Sequence, residues 1–216
     1  MLIKIINFRR KDPRKARDLR RLIRYLLTPK ASRTKLKTPP RLLGPPIFSH
    51  LVLSSEPWEP NIAAVATDVA DQFVLYCRRA CAGRKIPDAW YVHIIFSFAA
   101  AATADLIDPP DNHVSPRRHK SSASNAVRIA KDALDFMGAP NSQPAIFVVH
   151  GDRRHVHVHA VVALPFVGPE DWDLLRISRV QLNEIAKICA GAFQLPLTKR
   201  AARAHHRLST AGLDVE

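Results

Sequence analysis

The sequence predicts an α+β domain with a largely antiparallel sheet. Three observations predict it. The elements run in the order β-α-α-β-α-β-β-β-α. Residues 144–150 (PAIFVVH) and 155–164 (HVHVHAVVAL) read as two strands joined by only GDRR, which makes a hairpin. A chain of 216 residues with 47% hydrophobic content suits one domain with a real core, or one domain and a tail.

Residues 2–8 (LIKIINF) read as a short strand. Over 14–28, Leu19, Leu22, Ile23, Leu26 and Leu27 form an amphipathic helical stripe, with Tyr25 well off it. Pro29 ends that helix, and the proline-rich segment 29–60 reads as a long loop. Asn61 can cap a helix over 62–82 that carries Ile62, Val65, Val69, Phe73 and Tyr76 on one face. Residues 90–98 (WYVHIIFSF) read as a strand and 99–121 as a loop with a basic patch at Arg117, Arg118 and Lys120. A helix over about 124–137 stops at Gly138. A short strand at 173–177 precedes Ser178, which with Gln181 fits a capping box for a helix to about 193. The tail, 194–216, is polar and basic. No internal repeat or low-complexity segment interrupts this order.

The formal net charge is +14, which favours a polyanionic partner such as nucleic acid. Between Arg9 and Arg41 stand fourteen Lys/Arg against Asp12 and Asp18, so that stretch carries +12 of the total. The three cysteines, Cys77, Cys81 and Cys189, have no disulfide spacing and fit a reducing compartment. The apolar run in MLIKIINFRRKD is too short for a signal peptide, and no stretch of about 18 apolar residues exists to span a membrane.

Alternation along 155–164 puts His155, His157, His159 and Val161 on one face, and Val156, Val158, Ala160 and Val162 on the other. The valine face is a core face. Three imidazoles on the opposite face are a costly covering unless their nitrogens have partners. His150, at the end of the preceding strand, can lean over the same face. Neutral imidazole is a common metal ligand, and three of them leave positions open for water or substrate. Asp152 can orient a ligand through its second nitrogen. In VHIIFSF the apolar face holds Val92, Ile94, Phe96 and Phe98, and the other holds His93, Ile95 and Ser97. These residues alone support a metal enzyme, with a metal-free histidine-rich strand or a structural zinc site as the alternatives.

HGDRRHVHVH, His150 to His159, resembles the third motif of the plasmid conjugative relaxases, or mobilisation nucleases, of the HUH endonuclease superfamily. The pattern there is His-x-Asp-x-x-His-x-His-x-His, and every defined position matches. HIIFSF, His93 to Phe98, is similar to the second motif, and RYLLTPK, Arg24 to Lys30, to the first. LLRISRVQL, Leu174 to Leu182, resembles the segment after the histidines. The resemblance implies a palm-like five-stranded, mainly antiparallel sheet with helices packed on one face, within a relaxase domain over 1–193. It implies nicking of single-stranded DNA at a plasmid transfer origin, with a 5′-phosphotyrosyl intermediate and a free 3′-hydroxyl. Carried over by position, Tyr25 is the nucleophile, and His150, His157 and His159 hold the metal. Asp152 is the orienting carboxylate, His155 an outer partner or proton acceptor, and Ser97 a DNA contact. The basic side chains Arg20, Arg21, Arg24, Lys30, Arg33, Lys35 and Lys37 are expected to meet DNA. Tyr76 reads as core, and Tyr91 is the reserve nucleophile.

The implied cofactor is a divalent metal, Mn or Mg, with other first-row metals open; imidazole donors suit Mn better than Mg. The implied partners are accessory origin-binding proteins of the relaxosome, a coupling ATPase and a type IV secretion system, with a cytoplasmic location. Relaxases usually carry an asparagine four residues after the last motif histidine; Ala163 stands there. Two other readings use the same residues: an origin-binding relaxase homologue with impaired catalysis, and a metal-dependent phosphoesterase that needs no tyrosine.

Overall fold

A computed structural model describes residues 1–6, 16–28, 41–43, 46–51, 53, 61–82, 86, 90–99, 119–139, 143–151, 156–164 and 177–195. Its elements are β1 (Leu2–Ile6), α1 (Ala16–Leu27), β2 (Arg41–Leu42), β3 (Ile47–Ser49), α2 (Ile62–Ala80), β4 (Tyr91–Ser97), α3 (His119–Phe136), β5 (Ala145–Gly151), β6 (Val156–Ala163) and α4 (Arg179–Ala192). The strands form one antiparallel sheet in the order β1-β4-β6-β5-β2, with β3 also paired to β5. The sheet is thus five positions wide, and the expected α+β class holds.

Each helix forms where an apolar stripe meets a local stop signal. In α1 the stripe Leu19, Ile23, Leu26 and Leu27 is buried. The main chain and hydroxyl of Thr28 both donate to Arg24 O, at 2.9 and 2.6 Å, and close its last turn. Asn61 Oδ1 accepts the Ala64 N–H at 3.3 Å and starts α2 as expected. In α4 the capping box is complete: Gln181 N donates to Ser178 Oγ at 3.2 Å, and Ser178 N to Gln181 Oε1 at 2.8 Å. Gly138 follows α3 at φ 83°, a left-handed stop that glycine adopts without a Cβ clash.

Two boundaries differ from expectation. The helix expected over 124–137 begins at His119, because backbone hydrogen bonding continues through a Ser-rich start whose propensity is weak. The expected loop 29–60 contains β2 and β3, too short to carry a periodic signal. Both lie along the outer edge of β5, where proline is tolerated between strand pieces. The strand expected at 173–177 falls mostly outside the described residues.

The sheet buries both faces. On the valine face, Val92, Ile94, Phe96, Phe147, Val158, Ala160 and Val162 pack against α3 and α4. On the other face, Tyr91, Ile146, Val148, Val161 and Ala163 pack against α1 and α2. The helices are therefore divided between the faces rather than stacked on one. The physical reason lies in the histidine-bearing strands: beyond the histidines their alternation returns to apolar residues, and that half needs its own cover.

Candidate active site

Strand register builds the site. Opposed residues of an antiparallel pair share a face. Ser97 pairs with His157, and His157 pairs with His150, so the three form one row across β4, β6 and β5. The next row is Ile95, His159 and Val148; the one after is His93, Val161 and Ile146. Ser97 and His157 are partly open, whereas His150 is 2% and His159 7% exposed.

The rings are close neighbours. The His159 ring centroid lies 4.6 Å from that of His150 and 5.9 Å from that of His157. His150 Nε2 lies 2.8 Å from Leu26 O in the last turn of α1. A carbonyl oxygen only accepts, so Nε2 carries the proton and donates it. His159 Nδ1 lies 3.0 Å from His93 Nε2, with the two rings nearly parallel at 26°. Among the described residues no three metal-ligating side chains converge on one point in this arrangement.

The electrostatics favour uncharged imidazoles. Burial pushes His159 down to about 2, and charge on His150, His93 or His157 would add to the effect. Burial also lowers His150; the Leu26 carbonyl opposes that shift and His157 reinforces it. An uncharged imidazole with one nitrogen in a protein hydrogen bond can offer the other to a cation. His150 and His159 meet that condition, and with the His157 imidazole beside them they form a donor set whose chemistry fits a divalent first-row metal.

Tyr25 lies in the last turn of α1, beside the Leu26 carbonyl that His150 engages. Its side chain is 50% exposed, off the buried stripe as expected. Tyr91, the reserve nucleophile, is buried and sits edge-on to Trp90. Tyr76 is partly buried beside the core, and desolvation raises its hydroxyl further above the usual tyrosine value. Of the basic side chains, Arg21 and Arg24 are exposed on α1. Arg20 is half-buried, with its Nε unpartnered among the described residues. Asp152, His155, Lys30, Arg33, Lys35 and Lys37 lie outside the described residues. Ala163 is fully buried opposite Tyr91, and its N–H donates to Pro144 O at 2.9 Å. That position belongs to the apolar half of the face, two rows from His159.

The residue that sequence reasoning missed is His93. Its signal was present, since it shares the face of Ser97. What was lacking was the register that sets it diagonally against His159.

An antiparallel sheet with a histidine row on one face, beside a helix that exposes arginines, is an arrangement suited to a polyanionic substrate. Residues 65–192 match the relaxase family, MobA/VirD2-like, nuclease domain. The match covers more than half of the chain, so the protein belongs to that family and is a DNA-nicking relaxase. Comparison with curated proteins and with solved structures returns no match. The matched span runs from within α2 through α4 and includes Ser97 and all the motif histidines; α1, with Tyr25, precedes it. Among the described residues no helix is long and apolar enough to cross a membrane.

Proposed function

We propose that this relaxase nicks single-stranded DNA, with site and strand specificity, at a plasmid transfer origin through Tyr25. The observation that carries this reading is the Ser97–His157–His150 row, with the Tyr25 turn held to its end by the Leu26 carbonyl.

The Tyr25 hydroxyl loses its proton to a base, for which His155 is the candidate. The phenolic oxygen then forms a bond to phosphorus, and the bond from phosphorus to the 3′ oxygen breaks. The 3′ oxygen takes up a proton, and the 5′ phosphate stays on the tyrosine. Ordinary tyrosine is almost entirely protonated at neutral pH, so the step depends on a base or nearby positive charge. Ser97 offers a hydroxyl to the DNA beside the scissile phosphate. Asp152 orients a histidine. Arg20, Arg21 and Arg24, with Lys30, Arg33, Lys35 and Lys37, hold the flanking phosphates. His150, His157 and His159 would hold a divalent metal, Mn in preference to Mg, and when bound it would offset charge developing on the phosphate oxygens. In this reading the partners are relaxosome proteins, a coupling ATPase and a type IV secretion system, met in the cytoplasm.

The test is incubation with a 3′-labelled pool of random-sequence single-stranded oligonucleotides and Mn²⁺, followed by denaturing electrophoresis. A labelled protein adduct, lost in Tyr25→Phe, is expected, and sequencing the captured DNA identifies the origin. Cleavage that persists without an adduct in Tyr25→Phe makes the protein a tyrosine-independent phosphoesterase. Binding without cleavage in the wild type makes it a catalytically impaired origin-binding relaxase.

A further inference from the structure

His93 lies on β4, one strand over from the motif histidines, and is 6% exposed. Directly across from it stands Val161, and His159 is two residues from Val161 on the same face. This diagonal brings His93 Nε2 to 3.0 Å from His159 Nδ1, with the rings nearly parallel. The contact links residues 66 positions apart and is buried, so water does not compete for it.

When both imidazoles are uncharged, such a bond has one direction at a time: one nitrogen donates and the other accepts. If His93 donated, His159 would carry its proton on Nε2 and have no lone pair left for a cation. If His159 donates from Nδ1, its Nε2 lone pair is available. A ligand histidine commonly gives its second N–H to a neighbour that fixes both its tautomer and its ring plane.

We infer that His93 is a positioning residue for the metal site: its Nε2 accepts the Nδ1 proton of His159 and so presents the His159 Nε2 lone pair to the cation. The inference rests on the proposed metal site and assigns to β4 a part in it beyond the DNA contact at Ser97. His93 itself touches neither metal nor substrate.

Two measurements test it. In the metal-free wild-type protein, long-range proton–nitrogen NMR correlations report the tautomer of each histidine. A proton on His159 Nδ1 is expected; a proton on His159 Nε2 overturns the inference. Mn²⁺ titration then compares wild type, His93→Leu and His93→Gln, with circular dichroism as the check on folding. Leucine cannot accept the proton, and its affinity should fall by about 10- to 100-fold. Glutamine places an oxygen near the Nε2 position, and its affinity should return to within a few-fold of wild type. Equal affinity in all three, or equal loss in both folded variants, overturns the role of His93 and leaves the metal site standing. Failure of the wild type itself to bind Mn²⁺ overturns the metal site and this inference with it. Should His93→Leu fail to fold, the wild-type tautomer and the glutamine variant still decide.

Discussion

His150 donates its Nε2 proton to the main-chain oxygen of Leu26, 2.8 Å away and 124 residues earlier in the chain. The bond joins the end of β5 to the last turn of α1, the turn that carries Tyr25. In His150→Ala the Leu26 carbonyl loses this partner in a buried place, a loss of about 1–3 kcal/mol. Amide hydrogen exchange should quicken across the last turn of α1 while β4 and β6 keep their protection. Unchanged exchange in α1 would show that helix packing alone holds the turn.

The pH dependence has a definite sign. His159 and His150 are held below the free histidine value by burial, His159 at about 2. Below about pH 6.5 the unfolded chain takes up protons that the folded protein refuses, so stability falls as pH falls. The slope is at most about 1.4 kcal/mol per pH unit for each such histidine. For His159 the loss runs from about pH 6.5 down to about 2. Urea denaturation of the protein in chelator should therefore show a steep acid limb between pH 6.5 and 4. His159→Gln should flatten that limb; the same limb in the variant would assign the effect to other groups.

Gly151 ends β5 immediately after His150. A Cβ there would lie 2.6, 3.0 and 3.1 Å from three side-chain atoms of Leu43. Gly151→Ala should cost about 1–3 kcal/mol by overpacking. Adding Leu43→Ala should recover part of it, because the two changes share one space. Strictly additive losses in thermal denaturation would place the strain elsewhere.

Arg21 and Arg24 are exposed on α1. If each meets a backbone phosphate, Arg21→Gln with Arg24→Gln should lower the slope of log affinity against log salt by about 1.4 for single-stranded DNA, at about 0.7 per phosphate. Fluorescence anisotropy over a salt series measures it. A slope equal to that of the wild type would remove this helix face from the DNA interface.

Features set within a few residues were legible in the sequence. The Asn61 cap, the Ser178–Gln181 box, the Gly138 stop and the β5–β6 hairpin depend on local chemistry and a period of two. The shared face of His157 and His159 was legible for the same reason. The strands β2 and β3, two and three residues long, are too short for any period to declare itself. Placement of α1 and α2 over the histidine face depends on where β5 and β6 turn apolar again at Ile146, Val148, Val161 and Ala163. Ser97 could be assigned a face but not a neighbour, because its place opposite His157 is fixed by register between distant segments. The same holds for His93.

The divided outer edge has a consequence for how the protein behaves in company. β2 and β3 pair with β5 as two short pieces, with Pro45 and Pro46 between them in the sequence. At the opposite margin β1 carries the exposed Lys4 at its centre. Among the described residues, a foreign strand seeking main-chain hydrogen bonds would meet two short separate strands on one side and a charge on the other. Both margins thereby discourage fibril-like stacking of copies, which matters for a chain whose strands are otherwise among its most apolar segments.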